Sequence, residues 1–124
     1  MKGSKSLVVA LVAVALVAGA VPASAGAVAY KHYVACSPTE NAKPAHACPK
    51  KGKKGAFFKS LLADVTYSIC VRFPTGKSIC AKAQKAKAHV PYVNKITSNI
   101  PGKHVVSWFV EGKKVGSFAF VVPD

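Results

Sequence analysis

The 124-residue chain is 51% hydrophobic yet carries 18 basic residues against 4 acidic ones, a formal charge of +14 at pH 7. Its carboxylates, Glu40, Asp64, Glu111 and Asp124, are scattered singly, and no Gly-x-Ser-x-Gly or His-Glu-x-x-His pattern occurs, which argues against paired-acid, serine-hydrolase and zinc-peptidase chemistry. The length suits one small domain, which buries a modest share of its surface and gains from covalent staples.

Residues 1–25 read as a secretory signal peptide. Lys2 and Lys5 precede an apolar run from Leu7 to Ala18, followed by Gly19, Pro22 and the small triplet Ala23-Ser24-Ala25, so cleavage is expected before Gly26. Gly19 and Pro22 interrupt the run before it reaches the roughly 20 residues of a spanning helix. The expected product is a secreted domain over residues 26–124, extracellular or periplasmic, with a formal charge of +12 once Lys2 and Lys5 are gone.

Residues 27–35 suit an edge strand. Residues 36–56, within "CSPTENAKPAHACPKKGKKGA", hold three prolines and two glycines and read as a Cys/Pro/Lys-rich loop ordered by little besides a disulfide. Phe57 and Phe58 open the next element; two adjacent aromatics at a strand start are expected to divide between core and edge rather than enter a membrane.

"VTYSICVRFPTGKSIC" alternates. Val65, Tyr67, Ile69, Val71 and Phe73 share one face, and Thr66, Ser68, Cys70 and Arg72 the other. Pro74-Thr75-Gly76 suits a three-residue hairpin loop, which sets Phe73 opposite Lys77, Val71 opposite Ile79 and Cys70 opposite Cys80. Residues 84–102 are ambiguous, with Pro91 and Pro101 as boundaries. "GKHVVSWFVEGKKVGSFAFVV" is a second hairpin: with a three-residue loop or a bulge, Val106, Trp108 and Val110 share a face with Phe118, Phe120 and Val122, whereas a two-residue loop would set Val106 against Ser117. Short strands separated by Gly and Pro turns predict an all-β fold, a small antiparallel sandwich of about six or seven strands.

Four cysteines in an exported chain of this size imply two disulfides, with three possible connectivities. The hairpin register favours Cys70 with Cys80, leaving Cys36 with Cys48 by elimination. Oxidised cysteines are poor nucleophiles and poor metal ligands, so no catalytic site and no cofactor are expected. His32 with Cys36 and His46 with Cys48 would suggest a Cys/His zinc site in a reducing compartment; after export, bridging of the cysteines is the expectation, and no metal site is expected.

The closing pattern, a glycine, then Val-x-Trp-x-Val, a Gly-Lys turn and Val-Gly-Ser-x-Ala-Phe-Val, resembles the last hairpin of secreted bacterial immunoglobulin-like domains, including the CopC-type copper-resistance fold. The resemblance covers about 20 residues and implies a fold, not an activity. It departs at two places. The Cys70–Cys80 pair lies on an outer face instead of linking the sheets, and the mature start at Gly26 and the turn Glu111-Gly112-Lys113 lack the histidines that bind copper in those relatives.

The positive clue is charge. Lys50, Lys51, Lys53 and Lys54 occupy four of five positions, Lys82, Lys85 and Lys87 lie in a connector, and Lys113 and Lys114 at a hairpin tip. Arg72 is the lone arginine, so bidentate reading of bases is not expected and specific nucleic-acid recognition is set aside. Lysines act as point charges, and their binding is diffuse and salt-sensitive. The expected function is a secreted, non-catalytic binding or surface-associated module contacting an anionic cell-envelope polymer or membrane surface. The competing classes are an extracellular copper- or zinc-handling module and an accessory domain with a protein partner.

Overall fold

In the computed structural model, residues 29–124 are described, and the signal-peptide expectation lies outside them. Among the described residues eight strands follow in chain order: β1 Tyr30–Ala35, β2 Lys54–Ser60, β3 Val65–Arg72, β4 Ser78–Cys80, β5 Gln84–Ala86, β6 Pro91–Ile96, β7 Gly102–Val110 and β8 Lys113–Val122. No helix occurs among the described residues. Two antiparallel sheets result, as the alternation predicts. One has the order β1-β2-β6; the other runs β4-β3-β7-β8, with β5 also paired to β3.

The count exceeds the expected six or seven because one edge is broken in two. β4 pairs with the last residues of β3 and β5 with its first, Cys70 to Arg72 and Val65 to Tyr67, so two three-residue strands share the work of one. Residues 84–102, ambiguous in the sequence, supply β5 and β6.

The β3–β4 hairpin has the predicted register. Cys70 pairs with Cys80 and Val71 with Ile79, the Phe73 amide donates to the Lys77 carbonyl at 2.8 Å, and Gly76 takes the positive φ of 92° that the turn requires. Tyr67, Ile69 and Val71 are buried, while Cys70 and Arg72 face outward.

The β7–β8 hairpin resolves its two alternatives in an unexpected way. Its loop has two residues, Glu111 and Gly112, both at positive φ (50° and 82°), the arrangement that follows strand twist. A bulge at Trp108/Phe109 then leaves Val115 as the extra residue and restores Val106↔Phe118 and His104↔Phe120. The hydrophobic pattern therefore sets the register, and the bulge absorbs the mismatch.

Trp108, at 0% exposure, is the centre of the core, with Val34, Phe58, Tyr67, Val106, Phe120 and Val122 around it. Aromatic rings join the sheets: His32 of β1 stacks on Trp108 at 4.9 Å, and Phe58 of β2 on Tyr67 at 4.2 Å. Tyr67 also donates to Asn94 Oδ1 at 2.9 Å, and burial pushes its hydroxyl pKa up to about 12. Phe57 and Phe58 divide as strand alternation requires: Phe58 packs inward, and Phe57 stacks on Tyr33 at 4.8 Å on the outer face. Neither is free to enter a membrane.

Candidate functional site

The predicted loop of residues 36–56 ends earlier, because β2 starts at Lys54. Nor does the disulfide alone order it. Cys36 and Cys48 are joined, with Cα atoms 5.1 Å apart, but Ala45 N also donates to Val34 O at 2.9 Å, Cys48 N to Val121 O at 2.9 Å, and Val121 N to His46 O at 2.8 Å. Residue 47 thus forms a parallel bridge with the end of β8. His46 stacks on Phe118 at 4.1 Å, and its Nδ1–H donates to Ala119 O at 2.7 Å. A Pro-rich segment that cannot build a sheet of its own is held against one.

Lys54 is a correction to the expected anion-binding set. It is 1% exposed, and its ammonium donates to the carbonyls of Ser98 at 2.9 Å, Gly52 at 3.3 Å and Lys50 at 3.4 Å. Three carbonyls take the place of water around a buried cation, which would otherwise be costly. Burial still lowers its pKa from the usual lysine value. Lys54 pins the loop instead of presenting charge.

The other lysines of the set, all exposed, separate into three places. Lys50, Lys51 and Lys53 sit at the end of the sandwich where β8 finishes. Lys85, Lys87, Lys113 and Lys114 lie at the opposite end, with Lys85 paired to Thr66 and Lys113 to Val110. Lys82 stands between β4 and β5. Acids stand on both sides: at the far end the Asp64 carboxylate accepts from Ala88 N at 2.9 Å and that of Glu111 from Thr66 N at 2.8 Å, while Glu40 belongs to the loop segment and Asp124 follows the end of β8.

Two basic residues outside the predicted set belong beside the loop. Lys103 pairs with Val121, the residue that His46 and Cys48 bind, and Arg72 pairs with Val105 one turn of the pleat away. Arg72 and Lys103 line one open hollow of about 360 Å³ with Pro74 and Gly76. Strand alternation assigns both to outer faces; what the sequence lacks is the pairing of β3 with β7, which brings them together across 30 residues of chain.

Under this same end lies His104, fully buried. Its Nδ1–H donates to Gly102 O at 3.2 Å and its Nε2 accepts from Ser98 Oγ at 2.8 Å, while Phe120 stacks on the ring at 4.7 Å. Desolvation lowers its pKa below the usual 6.5, the Gly102 bond opposes this, and the Lys54 charge adds to it. A neutral, doubly bonded imidazole is a structural element of the core. Among the described residues no group of three or more His, Cys, Asp and Glu stands close enough to hold a metal ion. His32 and His46 are engaged with aromatic rings, and their cysteine neighbours are bonded to each other.

No protein-family model matches the chain. No curated protein matches it either. Among solved structures, it is similar to an immunoglobulin-like protein from Pseudomonas aeruginosa, with 14% identity and a TM-score of 0.47 over 75% of this chain and 90% of that one. It is also similar to the alkylpurine DNA glycosylase AlkC of Pseudomonas fluorescens bound to DNA containing an abasic site analogue, with 18% identity and a TM-score of 0.46 over 64% of this chain. The match spans 28% of the glycosylase's length.

Proposed function

We propose that the protein is a secreted, non-catalytic binding module of immunoglobulin-like architecture that holds a polyanionic envelope component through Lys50, Lys51 and Lys53, with Lys103 and Arg72 extending the contact. The observation that carries this reading is the display of three exposed lysines on a loop tied down at Cys48, His46 and Lys54. An anchored loop loses less conformational freedom on binding than a free one, so more of each charge contact appears as affinity. Export is supported by the leader features of residues 1–25 and by two disulfides, which persist in oxidising compartments.

Heparin or teichoic acid immobilised on a column tests it. Retention should fall steeply with salt, and the triple change Lys50→Ala, Lys51→Ala, Lys53→Ala should move elution to markedly lower salt, while the same treatment of Lys85, Lys87 and Lys113 moves it less. Identical elution of the triple variant and the parent overturns the reading.

A further inference from the structure

The two sheets are unequal in width, and the difference leaves a groove. Ile79 pairs with Val71 and so lies on the core-facing side of its sheet, yet it is 54% exposed because the opposing sheet ends at β6 and no described strand covers β4. Ile100, 40% exposed, lies on the connector after β6. Together with Ile69, Val71, Phe73 and Ile96 they line an open apolar groove of about 390 Å³ between the edge of β6 and the β3–β4 hairpin. Among the described residues β6 is hydrogen-bonded to β2 alone, so within residues 29–124 its other edge runs unpaired along the groove.

We infer that this groove accepts an extended segment of an acidic protein or peptide partner, which adds to β6 as a fourth strand and lays alternate apolar side chains onto Ile69, Val71 and Ile79. Strand addition satisfies the free edge and covers the exposed isoleucines in one step, with main-chain bonds giving affinity and the apolar floor giving register. The partner's charge follows from the rim. Lys95 lines the groove, Lys77 and Lys82 lie just before and just after β4, which carries Ile79, and among the described residues no acid lines it. A second copy of this chain would bring the same lysines to the rim and a like net charge, a formal +12 over residues 26–124, which disfavours self-association.

The probe is a fluorescein-labelled synthetic peptide of about ten residues in which valine alternates with glutamate and threonine. Its controls are a peptide of the same composition with the valines made adjacent, and the alternating peptide N-methylated at alternate residues. Binding to the purified protein is followed by fluorescence anisotropy. The alternating peptide should bind saturably and about tenfold or more tighter than either control, and Ile79→Gln, at an exposed position that need not disturb folding, should weaken it by a similar factor. Amides of Val93 and Lys95, which strand alternation turns toward the free edge, should exchange more slowly in the complex. The triple change at Lys50, Lys51 and Lys53 should leave this binding in place, which separates it from polyanion retention. Equal binding of the shuffled peptide, insensitivity to Ile79→Gln, absence of saturable binding, or a concentration-dependent dimer that protects β6 without any peptide would each overturn the proposal.

Discussion

The ammonium of Lys54 lies 2.9 Å from the carbonyl oxygen of Ser98, and that bond ties the basic loop to the connector leading into β7. Lys54 and Lys53 are neighbours of the same type with opposite roles, one turned inward as a clasp and the other outward as charge. Lys54→Met keeps most of the aliphatic stem but strands three carbonyls, and should cost about 1–3 kcal/mol of stability. Chemical denaturation reads the loss. Heparin elution should shift far less for this variant than for Lys53→Ala, although each removes one positive charge.

The close approach of β8 to β1 makes a second prediction. A Cβ on Gly116 would overlap the ring of His32, which is held by its stack on Trp108. Gly116→Ala should destabilise the fold by about 1–3 kcal/mol through overpacking. Shrinking the other partner should relieve it, so in a double-mutant cycle with His32→Ala the combined loss is smaller than the sum of the single losses. Strict additivity would mean that the two residues do not meet.

His104 makes the fold sensitive to acid. Its folded pKa is lowered, above all by burial, so below about pH 6.5 the unfolded chain takes up a proton that the folded chain resists. Stability from this group is fully present above pH 6.5 and declines as pH falls toward the lower, folded value. Melting temperature should therefore drop on acidification from neutral pH, and the drop should be shallower in His104→Gln. A parent and variant with parallel pH profiles would assign the acid sensitivity elsewhere.

The two disulfides close loops of similar length, at sequence separations of 10 and 12, and chain-entropy arguments give each about 3 kcal/mol. Their local consequences differ. Replacing Cys70 and Cys80 by Ser leaves a hairpin still held by its ladder, so hydrogen exchange in β3 should change little beyond the global loss. Replacing Cys36 and Cys48 by Ser removes the main covalent tie of a segment with few ladder bonds, so exchange should accelerate across residues 36–53 and polyanion retention should weaken. Equal effects of the two double variants on that retention would separate the loop's order from its binding.

How much of this was legible in the sequence follows from how far each feature reaches along the chain. Alternation over five to nine residues fixes which side chains share a face, and a three-residue loop fixes a register, so β3 and β4, the burial of Tyr67, Ile69 and Val71, and the apposition of Cys70 with Cys80 could be read directly. The same reasoning required the closing hairpin to bring Val106 opposite Phe118, though not that a two-residue turn with a bulge would achieve it.

Alternation states which face a residue is on and is silent about what lies above that face. Coverage depends on pairings between strands far apart in the chain, such as β2 with β6 and β3 with β7, whose closure carries an entropic cost that no local pattern records. That is why no local pattern distinguishes Lys54 from Lys53, since the Ser98 carbonyl that holds Lys54 comes from 44 residues away, and why the apposition of Lys103 with Arg72 leaves no local mark. It is also why Ile79, facing the core by every local rule, stands half in water: its neighbours are written in the sequence, and only the unequal width of the two sheets decides that no described strand covers it.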